Sequence, residues 1–179
     1  MDLAVAMFFF LLVLLGVLFQ FKTGSYMAAG AFVEDALAAS ELASALIDVE
    51  EYGRTHEIRI ADPAAAFAIY RDALQYNLAL DEAGYSARTE LLTGRVQIRQ
   101  YIVYNVQGTE VQVTGYDGQG NCILQEKGVT GTVCTPEGMP VEHTTIYSRA
   151  GFQVDGLFDT VIEAEKEKSV DIARDESEK

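Results

Sequence analysis

The two histidines are the side chains best suited to metal binding or to proton transfer near neutral pH. They are His56 and His143, and neither has a cysteine, aspartate or glutamate at a recognised metal-ligand spacing. We therefore expect an ordinary surface or turn position for each. The chain also lacks the GxSxG, HExxH, P-loop and GxGxxG patterns of common catalytic and nucleotide-binding sites. The sequence thus predicts no catalytic, cofactor-binding or metal-binding residues, and we expect that the protein is not an enzyme.

One short segment, DGQGN at residues 117–121, is slightly similar to a loop that binds calcium through oxygen ligands. It lacks the third acidic position and the distal glutamate of such a loop. Tyr116-Asp117-Gly118 is instead a hairpin-turn signal. We expect a plain turn here and no bound cation.

The two cysteines, Cys122 and Cys134, lie in a glycine-rich, strand-like region. Their spacing is too long for a CxxC redox motif, and two cysteines are too few for a zinc site. In an exported domain an even cysteine count predicts a disulfide, which would stabilise the fold by about 3 kcal/mol by closing this loop. The alternative is two independent buried thiols.

The N-terminal segment is the most distinctive part of the sequence. Residues 3–19 carry no charged or strongly polar side chain. This apolar run has about the minimum length that spans a bilayer. A signal peptide would begin with basic residues, whereas only Met1 and Asp2 precede this run. The simplest explanation is that residue 1 is a mature N-terminus from which a basic leader was removed. The alternative is an intact chain that weak signals orient in the membrane.

The first helix is predicted to continue beyond the apolar run, because residues 23–52 contain no proline and are rich in alanine. One helix from about Asp2 to about Tyr52 is expected, with Gly53 just past its C-terminus. The alternative is a break near residues 22–24. Apolar residues recur at steps of three and four, and acidic residues at steps of seven, which predicts two stripes on the helix. The apolar stripe comprises Phe32, Ala36, Ala39, Ala43, Leu46 and Val49, and the polar stripe comprises Glu34, Glu41 and Asp48.

The charge of the chain excludes some partners. The formal net charge is -14 and the isoelectric point is about 4.4. Such an acidic surface repels phosphate groups, so we expect no nucleic-acid binding. Residues 23–52 carry six acidic side chains and no Lys or Arg, which is typical of an exported segment.

The remaining sequence predicts a small α+β domain. Asp62-Pro63 is a helix-start signal, and this helix is expected to end near Glu82. From Gly94 the apolar residues alternate, which predicts successive strands without intervening helices and hence an antiparallel sheet. Val170 and Ile172 are expected to add a short edge strand. The predicted organisation is therefore a helix at residues 1–53, an extracellular α+β domain at residues 54–174 and a charged tail at residues 175–179.

Together these elements resemble the type IV pilin superfamily. The resemblance lies in the uncharged opening MDLAVAMFFFLLVLLGVLFQF, its alanine-rich continuation to DVEEYG, and a C-terminal antiparallel sheet with two cysteines. The segments DPAAAFAIYRDALQYNLAL and TTIYSRAGFQVDGLFDTVIEAEKEKSVDI look similar to pilin-like proteins of the Tad/TadE type. The resemblance implies a filament subunit that polymerises through its N-terminal helix.

The resemblance also implies residues that act in assembly. Members of the superfamily usually carry glutamate at the fifth mature position, where it neutralises the N-terminal amine of a neighbouring subunit. Position 5 here is Val5, and Asp2 is the only acidic residue nearby. We expect Asp2 to pair with that amine. Independently of the resemblance, helices that exchange lipid for one another need close contact, and we expect Gly16 to permit it at mid-depth.

The expected function is therefore a structural subunit of an extracellular type IV pilus-like filament on the cell surface. Before assembly it would be a single-pass membrane protein, and its partners would be further copies of itself, the membrane and the pilus assembly machinery. One alternative is a single-pass, membrane-anchored extracellular binding domain, and another is a pseudopilin-like component of a secretion or assembly machine. Helix continuity separates these classes, because a display anchor usually carries a flexible polar linker after its membrane segment.

Overall fold

The computed structural model describes residues 3–158 and 160–172. Three helices come first: α1 (Leu3–Ser44), α2 (Val49–Thr55) and α3 (Pro63–Asn77). Five strands follow: β1 (Gln97–Gln107), β2 (Glu110–Tyr116), β3 (Cys122–Val129), β4 (Thr145–Asp155) and β5 (Val161–Asp171). The predicted α+β class is confirmed: a long N-terminal apolar helix leads into a small domain with a further long helix and an antiparallel sheet.

The sheet has the strand order β3-β2-β1-β4-β5, and every neighbouring pair is antiparallel. The alternating segment after Gly94 forms β1, as the period of two predicts, and β1 is the central strand of the sheet. The expected edge strand near Val170 is present but is longer than predicted, since β5 spans eleven residues and pairs with β4 along its whole length. Its alternating charged side chains suit an edge strand, because charge at an edge discourages pairing with other chains.

The main core lies between one face of the sheet and the helices α1 and α3. Tyr70 and Leu74 of α3 and Tyr101 and Val103 of β1 are fully or almost fully buried there. The Tyr70 and Tyr101 rings have centroids 4.7 Å apart, within the range of favourable aromatic pairs. On the opposite face a smaller apolar cluster is covered by Val141 from the β3–β4 connection. The domain is therefore a helix layer on a sheet, and the second face is closed by a loop.

The first helix differs from the expectation at its C-terminal end. It runs unbroken through residues 22–24 but ends at Ser44, and not near Tyr52. The chain turns here because the backbone of Asp48 pairs with that of Arg59, and the Asp48 carboxylate then caps α2 by accepting from the Glu51 N–H at 3.0 Å. Gly53 is inside α2, and His56, in a left-handed conformation at φ 60°, forms the C-cap.

The third helix begins as the sequence indicates. The Asp62 carboxylate accepts hydrogen bonds from the N–H groups of Ala64 and Ala65 at 2.9 and 3.1 Å, and Pro63 occupies the first turn. The helix ends at Asn77, before the expected Glu82. Leu78 is fully buried, and the chain leaves the helix at Ala79 with φ 50°. Burial of Leu78 thus outweighs the helical pattern of the following residues.

Candidate functional site: the N-terminal helix and its junction with the sheet

The first part of α1 projects from the domain with its apolar side chains exposed. Helix α1 is 42 residues long, and its most apolar 18-residue window has a mean hydropathy of 2.7 with none of its residues buried. Phe10, Phe19 and Phe21 are each more than 60% exposed. At about 1.5 Å per residue, residues 3–21 extend about 28 Å, close to the roughly 30 Å hydrocarbon thickness of a bilayer. The helix is therefore long and apolar enough to cross a membrane.

The second part of α1 packs on the sheet and on α3 through a face that the sequence did not predict. The buried residues are Ala29, Gly30, Val33, Ala36, Leu37, Ser40, Glu41 and Ser44. Of the predicted apolar stripe, Ala36 is buried and Phe32 is half-buried against the core, whereas Ala39, Ala43, Leu46 and Val49 are exposed. The helix is rotated relative to the predicted stripe because Val33 and Leu37 make the deepest contacts, and their face continues through Ser40, Glu41 and Ser44.

Glu41 lies at the centre of this junction, although the sequence placed it on a polar stripe. Its exposed fraction is 0%. Its Oε1 accepts a hydrogen bond from the Ser148 hydroxyl of β4 at 2.6 Å, and none of the described residues donates to its Oε2. Glu41 follows the apolar run of residues 3–21 by some twenty positions and belongs to the globular domain. Burial raises the pKa of its carboxyl from 4.5 to about 9, more than the Ser148 hydrogen bond lowers it. The side chain is therefore protonated and neutral at pH 7.

Small hydroxyl groups complete the junction around Glu41. Ser44 and Tyr101 share a hydrogen bond of 2.9 Å between their oxygens. Asn77 at the end of α3 donates to the Ser40 hydroxyl at 3.0 Å. Burial raises the pKa of the Tyr101 hydroxyl as well, so this site remains uncharged. These bonds fix the rotation and the axial position of α1 against both α3 and the sheet, because each requires one particular helix register.

An ion-pair cluster fastens the same helix from the sheet edge. Glu34 receives Lys168 at 3.0 Å and Lys166 at 3.2 Å, both from β5. The hydrogen bonds from these two lysines lower the pKa of the Glu34 carboxyl, with Lys168 making the larger contribution. All three side chains are about one-third exposed, so the cluster contributes modestly to stability. Its geometric effect is to join β5 to α1.

The residues predicted to act in assembly fall in different places. Gly16 lies in the exposed helix, and a β-carbon built at this position meets no atom within 4 Å. The whole helix surface at Gly16 is thus open to lipid or to another chain. Val5 is also exposed, at 41%. Asp2 lies outside the described residues, as do residues 173–179, which include the predicted tail.

The predicted disulfide is wrong: both cysteines are free and exposed. Cys122 begins β3 opposite Tyr116, whereas Cys134 follows the other end of that strand, where Val133 packs against Gly128. At about 3.3 Å per strand residue, Cys122 lies about 20 Å from Gly128, and a disulfide requires Cα atoms within about 7 Å. The length of β3 therefore separates the two thiols.

The other side chains that could bind a metal or transfer a proton have local structural roles or lie on the surface. His56 caps α2, and His143 is exposed on the approach to β4. Asp117 closes the β2–β3 turn by accepting from the N–H groups of Gln119 and Asn121, each at 2.9 Å. The hydrogen bonds from Asn121 are the main reason why the pKa of Asp117 is lowered. The predicted hairpin turn is confirmed.

Sequence reasoning missed the role of Glu41 in joining the helix to the sheet. The available signal was local: Ser40 and Ser44 flank Glu41 on the face that Val33 and Leu37 begin. Where serines continue an apolar helix face, that face is expected to stay buried and to make hydrogen bonds with its neighbours, and not to face solvent.

Comparison of the chain with protein-family models, with curated protein sequences and with solved structures finds no match.

Proposed function

We propose that the protein is a structural subunit of an extracellular type IV pilus-like filament and that it polymerises through α1. Before assembly the subunit resides in the membrane with a single pass, and an assembly machinery moves it into the filament. The observation that carries this proposal is the continuity of α1 from an exposed apolar half into a half that is locked on the globular domain. The role requires no catalysed reaction.

The continuity of α1 argues against a simple display anchor. A receptor domain on an anchor is usually joined to it by a polar, flexible segment. Here residues 22–28 remain helical, and from Ala29 onward one face of the same helix is buried against α3 and the sheet. Any force on the apolar half is transmitted directly to the domain. That property suits a subunit whose helix forms the filament core and whose domain forms the filament surface.

The apolar half of α1 also requires a partner outside the subunit. Residues 3–21 expose several phenylalanine and leucine side chains, and burial stabilises apolar surface by about 25 cal/mol per Å². Lipid provides this burial in the membrane. Outside the membrane, identical helices of other copies provide it, and helix packing of this kind depends on close contact and not on a hydrophobic gain over lipid.

Gly16 is the position where such close contact is most readily tested. It is free of contacts within the subunit, so a larger side chain there leaves the fold and the membrane insertion unchanged. Gly53 on α2 is also free of contacts and exposed, and it serves as a matched control. We expect Gly16→Leu to abolish most filament assembly, whereas Gly53→Leu retains it.

The experiment is electron microscopy of material sheared from the cell surface, with this chain identified in the filaments by antibody. Cell-associated subunit levels are matched by immunoblot for wild type, Gly16→Leu and Gly53→Leu. Absence of the chain from every filament, with the protein present in the membrane, would contradict the filament role and favour the anchored binding domain. Normal filament yield from Gly16→Leu would contradict the helix-packing argument alone.

A further inference from the structure

The tip of the β4–β5 hairpin carries apolar side chains that the described chain leaves uncovered. Phe158 is 84% exposed, and Val161 and Ile162 are 57% and 43% exposed. Phe158 also has φ 56°, a left-handed conformation that is uncommon for a bulky residue. The backbone of the tip is internally bonded, since Gly156 N–H donates to the Thr160 carbonyl at 2.7 Å. The tip therefore presents side chains outward from a closed turn.

This hairpin tip lies against α1 at the level where the apolar run ends. Leu157 and Ile162 from the hairpin and Phe19 and Tyr26 from α1 line a shared, mainly apolar groove of about 420 Å³. Lys22, the first charged residue after the run, lines the same groove, and so does Asp155 at the end of β4. Exposed apolar side chains of the helix and of the hairpin thus lie on the two sides of one groove.

The position of the groove fixes its depth in a membrane. With residues 3–21 in the hydrocarbon, Lys22 lies among the lipid headgroups, where lysine side chains are favoured. The hairpin faces α1 across the groove at Phe19 and Tyr26, on both sides of Lys22, and therefore lies at the same depth. Aromatic side chains concentrate at this level of membrane proteins, and the closed turn limits the number of backbone groups that lose water there.

We propose that the β4–β5 hairpin inserts Leu157 and Phe158 into the membrane interface as a second contact beside α1. This contact holds the globular domain in one orientation on the bilayer before assembly. The inference rests on the membrane-resident state of the proposed function, and it names lipid as the occupant of the groove. It does not depend on whether the subunit later enters a filament.

Tryptophan fluorescence tests the contact cleanly because the chain contains no tryptophan. Three single variants of the full chain are placed in phosphatidylcholine–phosphatidylglycerol vesicles at fewer than one chain per vesicle. Phe158→Trp reports on the hairpin. Tyr76→Trp is the matched control, since Tyr76 on α3 is 85% exposed. Phe10→Trp reports on the helix.

We expect a lipid carrying a quencher near the headgroup to quench Phe158→Trp several-fold more than Tyr76→Trp. Acrylamide in the water phase should show the reverse order. Equal lipid quenching of Phe158→Trp and Tyr76→Trp, with Phe10→Trp deeply quenched, would overturn the hairpin contact and leave the anchored helix intact. An unquenched Phe10→Trp would overturn both the anchor and this inference. Protection of Phe158→Trp from acrylamide without lipid quenching would show that the chain itself covers this side chain, and it would overturn the lipid contact.

Discussion

Replacing Glu41 by glutamine should change how the stability of the domain depends on pH. Glutamine keeps an oxygen that accepts from the Ser148 hydroxyl, but it does not titrate. The folded carboxyl keeps its proton up to about pH 9, whereas the unfolded carboxyl loses it near 4.5. Between these values the folded state binds one more proton, so the free energy of unfolding of the wild type falls as pH rises. The stability that protonated Glu41 contributes is fully present below its pKa in the unfolded state, and it is lost as pH rises through its pKa in the folded state.

The magnitude follows from the same two pKa values. One proton difference gives a slope of about 1.4 kcal/mol per pH unit. The difference in free energy of unfolding between Glu41→Gln and wild type should therefore grow by about 3 kcal/mol from pH 5 to pH 7. Groups around the site have smaller effects: Glu137 raises the pKa of Glu41 and Lys168 lowers it. The unmatched amide hydrogens of glutamine shift the variant by a constant amount and leave the slope unchanged.

The assay is urea unfolding of the full chain in nonionic detergent micelles, followed by the fluorescence of its nine tyrosines. Glu34→Gln is the control, because it is the same substitution on the same helix at a carboxyl whose pKa is lowered. The stability that Glu34 contributes is present above its unfolded pKa and is lost only as pH falls, so its difference curve should be flat from pH 6 to pH 9. A flat difference curve for Glu41→Gln as well would refute the reasoning, since it would mean that Glu41 is ionised in the folded protein.

Two further outcomes test the fold. Cys122 and Cys134 should both react with maleimide in the non-reduced native protein, and labelling only after reduction would show that the thiols are paired. Cys122→Ser should keep the free energy of unfolding of the wild type, whereas removal of a disulfide would lower it by about 3 kcal/mol. Gly118→Ala should lower the free energy of unfolding by about 2 kcal/mol, because its β-carbon would lie 2.2 Å from the Ile98 carbonyl oxygen. Gly53→Ala, in the open on α2, should instead stabilise by up to about 1 kcal/mol, and equal urea midpoints for the two alanine variants would contradict the packing around Gly118.

Features that depend on neighbouring residues could be predicted from the sequence. The apolar run has a length and composition that suit a membrane whatever the rest of the chain does. The Asp62 cap and the Asp117 turn form through hydrogen bonds to residues two to four positions away. The alternation of residue types along β1 and β4 predicts the strand type, because successive side chains of a strand point to opposite faces of the sheet.

Features that depend on distant residues could not be predicted. Helix α1 is rich in alanine on several faces, so its sequence leaves the rotation open, and only the contacts with α3, β4 and β5 select the face of Val33 and Leu37. Those contacts bury Glu41 beside Ser148, a residue 107 positions away, and so convert an apparent surface carboxylate into a neutral one. The end of α1 at Ser44 is likewise set by the pairing of Asp48 with Arg59.

The sequence by itself determined that this protein has an apolar N-terminal helix and an antiparallel domain, because helix length, strand alternation and turn chemistry are local properties. Only the tertiary structure decided which face of the helix is buried, where the two thiols lie and how far β5 extends. Each of these depends on the pairing of segments far apart in the chain. Pairing of this kind follows from the sum of many contacts across the fold, and no single stretch of sequence records that sum.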